Sequence, residues 1–196
     1  MQRLEEKKQE KRRRLLDSAY ECFTRRGVSG TTIDEICKRS GVAKGTFYLY
    51  FMDKDDIARE LNRKITFELI QSSYAYMMDH HSDTLNENLI TMADFTIDRF
   101  MRDKTLIRII KHDFIWPIKE TDLFSDGQEP LIPGFAQVQE YARSKNRPVK
   151  EVLAVLYCIV CMLISVCYDA IIEGNPADMT VMRPVLHQII KTQIPA

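Results

Sequence analysis

The chain has 196 residues, 45% of them hydrophobic and 29% charged, with 28 basic side chains balanced by 28 acidic ones. That length suits one large domain or a small domain fused to a larger one, and the apolar content is that of a packed globule, which excludes a disordered or collagen-like chain. The charge is unevenly spread: residues 1–64 hold 16 Lys and Arg against 11 Asp and Glu, and the remainder 12 against 17, so attraction to a polyanion is expected at one end only.

The opening stretch MQRLEEKKQEKRRRLL is charged throughout and lacks the apolar core of a secretory signal. With five cysteines in the chain, this points to a reducing, cytoplasmic setting. A first helix is expected over residues 5–26, with Leu15, Ala19, Cys22 and Phe23 along one face and Gly27 as its terminal glycine. Its leading run KKQEKRRR is a basic arm, either a solvated helix end or a segment that grazes a nucleic-acid backbone.

Residues 32–54, TIDEICKRSGVAKGTFYLYFMDK, are the most informative stretch. The Thr32 hydroxyl can cap a helix while Glu35 reaches back to the cap amide. Ile33, Ile36 and Cys37 share a narrow apolar face, and Asp34, Lys38 and Arg39 take the wet side. Ser40-Gly41 ends this helix, since glycine enters the left-handed region without a Cβ penalty. Val42 plugs the angle to a second short helix over residues 43–51. In that helix Phe47 and Phe51 face inward, while Lys44, Gly45, Thr46, Tyr48 and Tyr50 face outward or flank. Two short helices about a tight turn are the layout of a helix-turn-helix that reads DNA.

The run GVAKGTFYLYF at 41–51, followed by Asp53-Lys54-Asp55, resembles the DNA-binding signature of the tetracycline-repressor (TetR) family of transcriptional regulators. RLLDSAYECFTRRG at 14–27, with Thr31-Thr32-Ile33, is similar to that family's first helix and the entry to its second, so the resemblance covers residues 11–60. One departure is Ala43, where family members often carry a capping serine. A lost cap costs about 1 kcal/mol, so a frayed recognition helix is expected.

Lys44 and Thr46 are the candidates for base edges, because Lys donates to guanine O6 or N7 and the Thr methyl touches thymine. Gly45 lets the backbone come close. Tyr48 and Tyr50 can donate to phosphates or pack on the first helix. The helix begun by Thr32 can offer its free amides to a phosphate. Lys54 opposes the helix dipole beside an Asp53 cap, which suggests an external anion; the resemblance implies a phosphate contact there as well.

A long helix is expected over residues 53–79, with Ile57, Leu61, Ile65, Leu69 and Tyr76 in one stripe, followed by helices at 84–102 and at 104–116, the latter ended by Pro117. The stretch KETDLFSDGQEPLIPG at 119–134 reads as a loop. Helices follow at 135–145, 148–173 and 177–192, the last two parted by Gly174-Asn175-Pro176. No segment of length alternates with period two, so a sheet is not expected. The expected fold is all-α, with a three-helix helix-turn-helix head (1–52) joined by a long helix to an α-helical effector-binding and dimerisation body (53–196), roughly nine helices in all.

VLAVLYCIVCMLISVCY at 152–168 is uncharged over 17 residues. A membrane span needs about 20 apolar residues; this run is shorter, contains Ser165 and three cysteines, and is flanked by Glu151 and Asp169. A helix apolar on all sides is expected to pack on its own domain and on a second copy. The resemblance implies the same: in that family the last two long helices form a four-helix bundle across a two-fold axis, here a homodimer through about 148–174 and 177–192. Two recognition helices so related read a palindrome. Cys158 and Cys161 form a CxxC with no second ligand pair and are expected to serve core packing.

The resemblance further implies that the middle helices enclose a small effector. Candidate lining residues are Phe67, Tyr74, Met77, Met78, Phe95, Phe100, Phe114 and Trp116, whose spacing fits plain core equally. His80 and His81 diverge around a helix end, and no metal site or cofactor is expected. With no phosphate-cradling glycine loop, nucleophile elbow or Glu-x-x-His pair, an enzyme is not expected either. The expected function is a dimeric regulator on a palindromic operator, in this family usually a repressor, released by a small, largely apolar effector. The alternative is a constitutive or architectural DNA-binding dimer without an effector.

Overall fold

A computed structural model describes residues 2–112 and 134–196. These form helices α1 (Gln2–Arg26), α2 (Ile33–Ser40), α3 (Lys44–Phe47), α4 (Lys54–Asp79), α5 (Leu85–Arg102) and α6 (Lys104–His112). They are followed by α7 (Phe135–Ser144), α8 (Val149–Tyr168) and α9 (Met179–Gln193). A π-helical turn, Asp169–Glu173, continues α8. No strand occurs among the described residues, in agreement with the all-α expectation. The last residues expected in the 104–116 helix, the expected loop up to residue 133, and the side chains of Phe114 and Trp116 lie outside the described residues.

The described residues within Met1–Ile65 and Arg108–Ile115 form one compact unit, and those within Thr66–Ile107 and Trp116–Ala196 form another. The first is the head. Leu15, Ala19 and Phe23 of α1, Ile36 and Cys37 of α2, Val42, Phe47 and Phe51 are all buried. The unit also takes in the start of α4, reaching beyond the expected boundary at residue 52. Ile57, Leu61 and Ile65 are buried at one-turn intervals. Between them the buried Asn62 amide donates to the Ile109 and Ile110 carbonyls of α6, at 3.1 and 3.2 Å. A buried amide left without acceptors costs about 1–3 kcal/mol, so this contact fixes the register of α6 in the head.

In the second unit α5 packs on α7, α8 and α9, and α8 packs on α7 and α9. Asp178 caps α9 by accepting from the Thr180 amide at 2.8 Å. Arg183 of α9 pairs with Asp94 (3.4 Å) and Asp98 (2.5 Å) of α5, and His187 lies 2.8 Å from Asp94. With its π turn, α8 forms a continuous helix Val149–Glu173 of 25 residues, as expected at 148–173, with the uncharged run inside it. Burial is uneven around it: Val152, Leu153, Ile159, Leu163, Ile164 and Cys167 are buried inside the unit, while Tyr157 and Cys158 are exposed.

Candidate nucleic-acid interface

The head presents α3 to solvent, and the local sequence explains how. Thr32 makes a complete capping box, its hydroxyl accepting from the Glu35 amide at 3.2 Å while its own amide donates to Glu35 Oε2 at 2.8 Å. These bonds, the Thr32 amide first and then its hydroxyl and Arg26, hold the Glu35 carboxyl below the usual carboxylate range. At the other end of the helix, Gly41 turns left-handed at φ +63° and stops α2. Arg14 of α1 donates to the last carbonyl of α2, that of Ser40. The turn is therefore held from both helices.

The chain then enters α3 through Ala43, which makes no side-chain cap. Regular α-helix lasts only from Lys44 to Phe47 and relaxes into a turn at 48–50, shorter than the expected 43–51. Phe47 is fully buried and meets the Tyr48 ring edge-on, centroids 5.5 Å apart. One aromatic side chain thus anchors the whole of this short helix. Around it Thr32, Lys44, Gly45 and Tyr48 are exposed, and Thr46, Tyr50 and Lys54 are half-buried. All seven candidates belong to the head unit.

Two of the cations already have partners. Lys44 Nζ lies 2.8 Å from Asp34 Oδ1 of α2, and the hydrogen bond to that carboxylate raises the Lys44 pKa. Lys54 Nζ donates to the Ser29 carbonyl at 3.2 Å, so its ammonium is steadied over the α1–α2 loop, while Asp53 caps α4 through the Asp56 amide at 2.7 Å. Sequence reading did not bring out Asp34 or Ser29 as partners, because both contacts cross between elements. It also passed over Leu49 and Met52, which stand 77% and 75% exposed.

A cleft of about 670 Å³ opens between α1 and α2, lined by Glu21, Cys22, Arg25, Arg26, Glu35, Lys38 and Arg39 among others. Its carboxylates are already paired, Glu21 with Arg39 and Glu35 with Arg26, so this flank of the head is net positive. Burial pushes the Cys22 thiol up, which makes it a poor nucleophile at neutral pH.

The candidate effector residues that are described differ in burial. Met77 and Phe100 are buried as core. Tyr74 and Phe95 are half-buried, Phe95 against the Tyr76 ring at 5.1 Å. Phe67 and Met78 are 55% and 49% exposed. For Phe67 the reason is helical phase: it stands two positions past buried Ile65, which turns it to the opposite side of α4. Among the described residues there is no cluster of three His, Cys, Asp or Glu fit to hold a metal.

Residues 15–61, which run through α1, the turn, α3 and the first turns of α4, match the family model of the bacterial regulatory proteins of the tetR family. The HTH-type transcriptional regulator AcrR of Shigella flexneri is 33% identical over 107 residues, 53% of this chain and 49% of that protein. The chain thus spans about half the length of the curated relatives it matches. Two solved structures extend the likeness of fold. A putative TetR-family regulator from Syntrophomonas wolfei covers 96% of each chain at TM-score 0.60 and 22% identity. FadR from Bacillus subtilis, in complex with stearoyl-CoA, covers 92% of this chain and 98% of its own at TM-score 0.58 and 16% identity. The helix-turn-helix head is thus similar to that of the bacterial regulatory proteins of the tetR family, and the helical body that follows shares the fold of these solved structures.

Proposed function

We propose that the protein is a cytoplasmic, sequence-specific transcriptional regulator that binds a palindromic operator as a homodimer, acting as a repressor released by a small, largely apolar effector. The observation that carries the DNA-binding part is the surface of α3. Lys44, Gly45 and Tyr48 are exposed around a helix whose only deep anchor is Phe47, a poor core element and a good groove surface. Lys44 and Thr46 meet base edges, Tyr48 and Tyr50 donate to phosphates, and Lys54 with the start of α2 holds phosphate on the flank.

The dimer rests on α8 and α9, whose Tyr157, Val181 and Val185 are 46%, 55% and 46% exposed along apolar helices. A second copy covers them. For the effector the support is chemical: the body offers half-buried aromatics such as Tyr74 and Phe95, and one relative in fold carries an acyl thioester. The complete burial of Met77 and Phe100 favours the second reading, a body that only dimerises. A salt-dependent titration against DNA from upstream of the protein's own gene, beside a scrambled duplex of equal length, tests the proposal. Tight binding to the first alone, two protomers per site, is the expected result, and release by long-chain acyl thioesters or other apolar compounds separates the sensor from the constitutive dimer. Equal, salt-sensitive binding to both duplexes would leave a nonspecific binder.

A further inference from the structure

Asp34 and Lys44 meet across the turn of the head, 2.8 Å apart, with 70% and 54% of their side chains exposed. Asp34 sits in the first turn of α2 and Lys44 at the first residue of α3, so the turn itself brings them together. An ion pair this exposed contributes little to stability, and the fold has little need of it. Its place is the informative part. Lys44 leads the helix offered to the major groove, and a carboxylate beside it repels the phosphate backbone that the rest of the head attracts.

The consequence is an exchange of partners. Lys44 can reach a base edge only by leaving Asp34, and Asp34 is then unpaired against a polyanion. A G·C pair compensates both groups: guanine O6 and N7 are adjacent acceptors for the ammonium, and the cytosine N4 amino group beside them donates to the carboxylate. An A·T pair places its amino donor between its two acceptors and adds a methyl group, so the same two side chains meet a mismatch.

We propose that Asp34 is a specificity-determining residue of the head, a latch on Lys44 that opens in favour of a G·C pair in each half-site and suppresses binding to unrelated DNA. The proposal rests on the DNA-binding reading above, and selection from randomised duplexes by the full chain separates the two. The wild-type protein is expected to enrich a fixed G·C pair in each half-site. Asp34→Ala should still bind but lose that preference by about tenfold. It should also hold scrambled duplex more tightly, with a salt slope steeper by about one unit per protomer. Lys44→Ala should lose the same preference, and the double variant should lose no more than either single one. Asp34→Asn, of the same size, serves as the variant least able to disturb folding and should likewise gain affinity for scrambled duplex. An Asp34→Ala protein that keeps both the preference and the wild-type affinity for scrambled duplex overturns the latch while leaving the DNA reading intact. A wild-type protein that enriches no sequence, with Lys44→Ala behaving identically, overturns both.

Discussion

Gly41 and Gly45 flank the turn into α3 and answer to different demands. Gly41 is set by the fold: its φ is +63°, and a Cβ there would come within 2.7 Å of Arg14 Nη2, the group that holds the end of α2. At Gly45 a Cβ would meet nothing within 4 Å, and the position is open to solvent. The protein itself gains nothing from glycine there. Alanine is favoured over glycine in a helix by about 1 kcal/mol, so Gly45→Ala is expected to raise the thermal midpoint slightly and, by holding the backbone off the groove floor, to weaken operator binding about tenfold or more. Calorimetry beside a DNA titration checks both halves. A more stable variant with unchanged affinity would remove α3 from close contact with DNA.

The α2 helix shows how far local signals reach. Thr32, Glu35 and Gly41 mark its start and end in the sequence, and the capping box and left-handed C-cap stand where those residues put them. Because the Glu35 carboxyl is held below its ordinary range, its contribution is full above the unfolded Glu pKa of about 4.3 and is lost as pH falls through the lower folded value. The stability gap between the wild type and Glu35→Gln is therefore expected to stay constant near neutrality and to shrink under acid; urea unfolding at stepped pH measures it. A gap that widened toward low pH would contradict the capping role. The recognition helix is legible in identity but not in length, since Ala43 carries no oxygen to cap it and α3 ends within a turn. Pairings between distant elements are not legible at all. Arg183 and His187, like Asp94 and Asp98, are four residues apart on their helices, a spacing that aligns each pair on one face, yet nothing in the sequence says that the two faces meet.

At the scale of the molecule, α8 has more apolar surface than its own chain covers. The helix Val149–Glu173 has mean hydropathy 2.4 over its most apolar window, and only 28% of that window is buried within one chain. The proposed dimer would bury much of the rest. Tyr157→Glu combined with Val185→Glu is accordingly expected to yield monomers in sedimentation, with helix content retained and palindrome binding reduced to the weaker level of a single head. A double variant that remained dimeric would place the two-fold contact on another surface. The fold class and the head are readable because they depend on neighbours in sequence. The contents of the body are not, because which aromatics become core depends on helix phase and on contacts made across the unit, as exposed Phe67 and buried Phe100 show.

The Asn62 contact bears on how such heads can be exchanged among relatives. Its amide is satisfied by carbonyls of Ile109 and Ile110, and Ile57, Leu61 and Ile65 are buried in the same unit. The head is therefore not a contiguous cassette. A chimera that takes residues 1–52 and grafts them onto a foreign body leaves behind part of its own core, whereas one that carries α4 to Ile65 together with the matching α6 segment keeps it whole. Recombination between such chains, in the laboratory or in genomes, has to respect a seam that crosses the sequence three times, after Ile65 and on either side of the Arg108–Ile115 segment.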